Sequence, residues 1–308
     1  MSRHIVVWVG CLMSLGVVAT AQEPDVKARL QAVQNLAALL PEGARVERDV
    51  AYVSDGHERQ KLDLYIPPGD NSKRPLIVWV HGGGWKQGSK EHTPAIPALS
   101  QGCVVASINY RLSQHAPFPA QIQDCQAAIR WLRGNAEKYG IDPDRIGVWG
   151  ASAGGHLVAL LGTASDTDAW EKIGEHRDQS AKVQCVVDWF GPADFSLFGE
   201  IVAKPGTSVG QLIGPIDGDA KEKFRRASPV TYITHDDPPF LIMHGDQDKL
   251  VPLRQSEKLR DDLKAAGVTV ELVTLEGAAH GGAQFLEEAT RSKIRGFFAE
   301  HLHIAETK

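Results

Sequence analysis

Apolar and polar positions follow several distinct patterns along this chain. Two early segments, Val46–Val53 and Lys61–Ile66, alternate in character and predict antiparallel strands, the second ended by Pro67-Pro68-Gly69. Continuous apolar runs follow at Leu76–Val80, Val104–Ile108, Ile146–Trp149, Val183–Trp189 and Phe240–Met243. Runs of that kind suit strands buried on both faces of a mainly parallel sheet, and Val270–Leu275 adds one more strand. Helical spacing fills the intervals. Ala120 to Lys138 carries Ile122, Cys125, Ala128, Ile129 and Leu132 on one stripe; Ala153–Leu161, Leu253–Ala266 and Glu287–His301 follow, and Val26–Leu40 precedes the first strand. Strand–helix alternation behind two antiparallel strands predicts a three-layer α/β fold: a mostly parallel sheet, antiparallel at its N-terminal strands, with helices on both faces. Gly191 to Pro239 is rich in Gly, Pro and Asp with weak periodicity, and reads as an excursion or cap over the strand ends.

The first residues carry a different signal. Arg3 and His4 precede an almost unbroken apolar stretch, Ile5 to Val18, and Ala19-Thr20-Ala21 offers the small-x-small pattern cut by signal peptidases. The stretch is shorter than the ~20 residues that span a bilayer as a helix. The expectation is a signal peptide over residues 1–21, then a single secreted or periplasmic domain over 22–308 with no stable membrane insertion. Cleavage removes Cys11 and leaves Cys103, Cys125 and Cys185, all in apolar contexts. Buried free thiols are expected, with a Cys103–Cys125 bridge left open.

Composition narrows the class further. The 308 residues are 43% hydrophobic, enough for a large core, and the net charge of −5 without a long Lys/Arg run argues against a nucleic-acid partner. Oligomeric state has no signature. Zinc-type Cys/His spacing and EF-hand calcium loops are both missing, so neither metal nor cofactor is expected.

The chemistry is concentrated in three loops that follow predicted strands. Gly150-Ala151-Ser152-Ala153-Gly154 is G-x-S-x-G between a strand and a helix, the context in which a serine hydroxyl stands exposed on a sharp turn. Such a serine needs a base, and the base an orienting carboxylate. Asp248, in His244-Gly-Asp246-Gln-Asp248 after the Phe240–Met243 strand, is the chosen carboxylate, with Asp246 as the alternative. His280, in the small-residue loop Gly277-Ala-Ala-His-Gly-Gly282, is the chosen base; His244 is assigned to packing. His81-Gly82-Gly83-Gly84-Trp85 follows the Leu76–Val80 strand and predicts an oxyanion hole from the Gly83, Gly84 and Ala153 N–H groups. A phosphate-binding loop would need G-x-x-x-x-G-K-[ST], which is missing. Trp85 and Trp189 are candidate walls for a sugar ring or aromatic acyl group, with core packing as the other reading. Arg111 and Asp124 are expected to pair structurally.

On these residues the chain resembles the α/β-hydrolase superfamily. It looks most like hormone-sensitive-lipase-type esterases and, near them, BD-FAE-type carbohydrate esterases. Leu62-Asp-Leu-Tyr65, Asn109-Tyr-Arg-Leu112, Ala116-Pro-Phe-Pro119 and Asp188-Trp-Phe-Gly-Pro192 extend the match over nearly the whole chain from about residue 46. Ala151 stands where the lipase-type branch commonly has Asp, which favours the carbohydrate-esterase side. The resemblance implies cofactor-free, secreted hydrolysis of acetyl or feruloyl esters on plant polysaccharide such as xylan. A generalist short-chain carboxylesterase, a serine peptidase or amidase, and a non-catalytic binding protein on the same fold are the competing readings.

Overall fold

A computed structural model describes residues 39–305 apart from 71–72, 166, 199–203, 205 and 215–219. The expected signal peptide and most of the Val26–Leu40 helix lie outside the described residues. Eight strands form one sheet: β1 (Arg45–Ala51), β2 (Lys61–Ile66), β3 (Arg74–Val80), β4 (Val104–Ile108), β5 (Ile141–Ala151), β6 (Cys185–Trp189), β7 (Phe240–Gly245) and β8 (Val270–Leu275). Their order is β1-β2-β4-β3-β5-β6-β7-β8. β2 runs antiparallel to both β1 and β4, and the remaining pairs are parallel. The helices are α1 (Ala120–Gly134), α2 (Ala136–Tyr139), α3 (Ala153–Thr163), α4 (Ser208–Ile213), α5 (Ala220–Ala227), α6 (Arg254–Ala265) and α7 (Glu288–His301).

The continuous apolar runs are explained by burial on both faces. Along β3, Leu76, Val78 and Val80 join the cluster containing Ile129 and Leu132 of α1, Leu157 of α3 and Leu259 of α6. Ile77 and Trp79, pointing the other way, join Ile96, Leu99 and the α7 residues Ile294 and Phe298. This is the predicted three-layer arrangement. The predicted helix from Ala120 to Lys138 is broken between α1 and α2 at Gly134-Asn135, two poor helix formers, and Gly140 (φ 67°) caps its end. Cys103 and Cys125 lie in the clusters on opposite faces of the sheet, so they do not pair; both are free and buried, as is Cys185. Arg111 grips the buried Asp124 carboxylate with its guanidinium at 2.8–3.0 Å, the pairing the sequence predicts.

The excursion leaves the sheet between β6 and β7 and contains α4 and α5. Its Ser208 lies against the loop after β3, where a Cβ on Gly84 would come within 2.9 Å of Ser208 Oγ. Among the described residues no helix is long and apolar enough to cross a membrane.

Candidate active site

Parallel strands deliver their following loops to one edge of the sheet, and four of those loops converge here. Ser152 occupies the turn between β5 and α3 with φ 56° and ψ −117°, a backbone conformation that costs of order 1–3 kcal/mol outside glycine. Close packing holds it there. A Cβ on Gly150 would overlap the Gly154 carbonyl, and one on Gly154 would overlap the Val80 carbonyl oxygen. The Ser152 N–H donates to Trp189 O at 2.8 Å, tying the turn to β6.

The loops after β7 and β8 are laced together by backbone bonds. Gln247 N–H donates to Ala278 O (2.9 Å), and Gly277 N–H donates to the Asp246 carboxylate (2.8 Å). Gly245 permits the approach, since a Cβ there would overlap Ala278 O. Asp246 is therefore a turn residue and Asp248 the inward carboxylate. Asp248 Oδ2 accepts from His280 Nδ1 at 2.6 Å, while His280 Nε2 lies 2.8 Å from Ser152 Oγ. The three side chains chosen from sequence thus stand in one hydrogen-bonded line. Phe190 supports the His280 ring with centroids 4.6 Å apart.

His244, assigned to packing, is fully buried and also touches this line. Its Nε2 lies 3.2 Å from Asp248 Oδ2 and 2.8 Å from Val251 O, and its Nδ1 is 2.7 Å from Ser256 Oγ. Two imidazoles thus share one carboxylate oxygen, while Oδ1 accepts from the Leu250 and Val251 N–H groups. Burial alone would raise the Asp248 pKa. Hydrogen bonds from His244, His280 and the Val251 N–H outweigh it and hold the carboxyl well below the usual carboxylate range. The proximity of His244 to Asp248 in sequence was a usable signal, because strand-end residues at i and i+4 can close a turn.

A second aspartate behaves oppositely. Asp188 on β6 is fully buried; its Oδ1 accepts from Gly191 N–H (2.9 Å), while Oδ2 has no partner among the described residues. Burial pushes its carboxyl up to about 6, against the pull of the Gly191 bond and of His244.

On the other side of Ser152 lies the loop His81–Gly88. A Cβ on Gly82 would come within 3.4 Å of Ser152 Cβ, so the loop runs directly beside the serine. Gly83 and Gly84 hold positive φ (107° and 59°), conformations natural to glycine. Among the described residues the amides of Gly83, Gly84 and Ala153 donate to no protein acceptor. The two tryptophans are not pocket walls. Trp85 is 3% exposed and donates its indole N–H to His156 Nδ1 (3.1 Å). Trp189 is 6% exposed and packs edge-on against Trp79, Trp149 and Phe285. Strand alternation sends its ring into the core facing α7, away from the serine.

Among the described residues, no group of three or more His, Cys, Asp or Glu side chains is placed to hold a metal ion.

Known proteins are similar to this chain in sequence and in fold. Esterase LipC of Mycobacterium tuberculosis is 36% identical over 251 residues, 76% of this chain and 59% of that protein. The chain spans between half and three-fifths of the length of the first three curated relatives it matches. A truncated carbohydrate esterase from gut microbiota superposes with a TM-score of 0.77 at 33% identity, covering 86% of this chain and 99% of that one. A propionate-bound esterase from Thermogutta terrifontis gives 0.69 at 28% identity, covering 87% and 98%. Residues 62–263 match the BD-FAE family, a stretch reaching from β2 through α6 and enclosing Ser152 and Asp248. The chain belongs to the BD-FAE family of α/β-hydrolases.

Proposed function

We propose that this protein is a serine ester hydrolase acting on short acyl or feruloyl esters of carbohydrate, through an acyl-enzyme intermediate. The observation that carries the proposal is the hydrogen-bonded line from Ser152 Oγ through His280 to Asp248, at 2.8 and 2.6 Å. With its Nδ1–H given to Asp248, the His280 ring presents Nε2 as acceptor for the serine proton. Ser152 attacks the ester carbonyl, His280 takes its proton and returns it to the leaving alcohol, and water then releases the acid by the same route. The free amides of Gly83, Gly84 and Ala153 receive the oxyanion; removing one such donor typically costs ~10²–10³ in kcat.

Two further observations favour a carbohydrate ester. One relative of similar structure is a carbohydrate esterase. Beside the glycine loop, lined by none of Ser152, Asp248 and His280, lies a cleft of about 930 Å³ with Glu58, Lys86, Gln87, Glu91, His92 and Asn109, donors and acceptors suited to sugar rings flanking the ester. The propionate bound by the Thermogutta esterase supports a small acyl group. The excursion between β6 and β7 is proposed as a cap, on the strength of the Ser208–Gly84 contact, and the first 21 residues as an export signal.

The test is kcat/KM on p-nitrophenyl acetate, methyl ferulate and acetylated xylan, with Ser152→Ala as the blank. Removing such a nucleophile lowers kcat by about 10⁶-fold. Turnover of acetate esters and xylan without ferulate would make it a deacetylase; turnover of p-nitrophenyl acetate alone, a generalist esterase. A folded Ser152→Ala variant with full activity would overturn the mechanism.

A further inference from the structure

An oxyanion hole made of backbone is only as good as the placement of its peptide planes. The loop His81–Gly88 supplies little of that itself: Gly83, Gly84, Trp85 and Gly88 all have positive φ, and its internal ties are the bonds from Lys86 and Gln87 N–H to Gly83 O at 3.2 Å. From outside, Ser113 N–H donates to Trp85 O (2.8 Å) and Gln114 Nε2 to Lys86 O (3.1 Å), while the two ends of the loop are held by Arg59, in the connection between β1 and β2. Its Nη2 lies 3.0 Å from Gly88 O and 3.1 Å from His81 Nε2, so one nitrogen holds both ends of the loop. The guanidinium is anchored in turn on Tyr110 O through Nε (2.9 Å); Asn109 Oδ1 lies 3.3 Å from the same Nη2, the longest of its three contacts, and the two Nη2 protons serve the nearer Gly88 O and His81 Nε2.

These contacts fix a proton. Guanidinium only donates, so His81 Nε2 accepts and the ring proton sits on Nδ1. From there it is donated to Gly82 O at 2.7 Å. Burial, with a smaller contribution from the Arg59 charge, pushes the His81 pKa down to about 3 against the pull of the Gly82 bond, so the ring is neutral in this arrangement. Tyr110 stacks on that ring at 4.4 Å and donates its hydroxyl to His81 O at 3.0 Å, leaving the imidazole no freedom to turn. The Gly82 carbonyl and the Gly83 N–H belong to one planar peptide unit. Pinning the oxygen therefore aims the N–H, and drawing electrons from the oxygen strengthens the N–H as a donor.

We propose that Arg59 is a positioning residue for the oxyanion hole, acting through a relay from its guanidinium to His81, to the Gly82 carbonyl and so to the Gly83 N–H. The inference rests on the ester-hydrolase reading above. It gives a role in the chemistry to a residue that lies outside the line of three side chains and the glycine loop.

The experiment compares wild type, Arg59→Gln and Arg59→Lys on p-nitrophenyl acetate, together with the inhibition constant of a trifluoromethyl ketone, which forms a charged tetrahedral adduct with the serine. Arg59→Gln is expected to lower kcat by about 10–100-fold, below the loss of a whole donor. KM should stay within about twofold, and ketone affinity should fall by the same factor as kcat, the pattern of an interaction made in the transition state. Arg59→Lys keeps the charge and loses the fork, so it should fall between the two. A folded Arg59→Gln with wild-type kcat and ketone affinity, or one that raises KM alone, overturns the relay. If Arg59→Gln does not fold, Arg59→Lys decides: unchanged ketone affinity overturns the proposal. Equal inactivity of wild type and Ser152→Ala would instead remove the ester-hydrolase reading, and the relay with it.

Discussion

The loops after β3 and β7 flank the same serine and solve opposite problems. The loop His81–Gly88 presents backbone: it holds positive φ at Gly83, Gly84 and Gly88 and runs so close to Ser152 that a Cβ on Gly82 would meet the serine side chain. The loop after β7 presents a side chain, the Asp248 carboxylate, held by His280, by the fully buried His244 and by two backbone amides. One loop is shaped by what glycine lacks, the other by how many donors a carboxylate can collect. Each is also touched by a further polar side chain, the half-buried Arg59 guanidinium for the first and the fully buried His244 imidazole for the second.

The comparison can be broken most forcefully at Asp248. Asp248→Asn keeps the shape but cannot hold His280 in the required tautomer, and kcat is expected to fall by about 10⁴-fold. A steady-state assay with circular dichroism to verify folding measures this; a loss under tenfold would show that His280 does not depend on the carboxylate. Gly83→Ala should cost less, about 10²–10³ in kcat, comparable to deleting one oxyanion donor. At φ 107° a Cβ would overlap Gln87 O, so the loop must shift. This variant should also lose ketone affinity, which Asp248→Asn tests less directly. Unchanged turnover would place the oxyanion elsewhere.

The smallest effect sharpens the comparison by pH, through the two buried aspartates. The pKa of Asp248 is depressed in the fold, so its stabilising contribution is complete above the unfolded value of about 4 and is lost as pH falls below it. Asp188 is pushed up to about 6, so the native state holds a proton that the unfolded chain releases between about 4 and 6, and stability falls as pH rises through that window. Melting temperatures from pH 3 to 8 should show Asp188→Asn gaining on wild type between pH 4 and 6. Asp248→Asn should be destabilised above pH 4, with its gap to wild type beginning to narrow as pH falls from 4 to 3. Parallel curves for all three proteins would refute both assignments.

Much of the site was legible because its chemistry demands local patterns. A serine on a strained turn needs small residues at 150 and 154, a backbone oxyanion hole needs a glycine run, and both leave a mark readable without a structure. His280 and Asp248 were legible by their place after predicted strands. Between the two readings of Trp189, wall or core, the sequence does not decide, because β6 is buried on both faces and a continuous apolar run does not show which way each ring points; the structure gives core packing. His244 was underrated because it resembles any buried strand-end histidine until its 3.2 Å approach to Asp248 is seen. Arg59 carries no local signal at all: its partners are His81, Gly88, Asn109 and Tyr110, all distant in sequence.

The sequence by itself determined the layered fold, the positions of the strands and the identities of Ser152, Asp248 and His280, because periodicity and turn chemistry are local properties of the chain. Only the tertiary structure decided which polar groups steady them. A guanidinium beside the glycine loop, a second imidazole on the Asp248 carboxylate and a buried Asp188 whose Oδ2 has no partner among the described residues arise when segments far apart in the chain are packed together. Packing then fixes their hydrogen-bond partners and, at Asp188, raises the carboxyl's pKa.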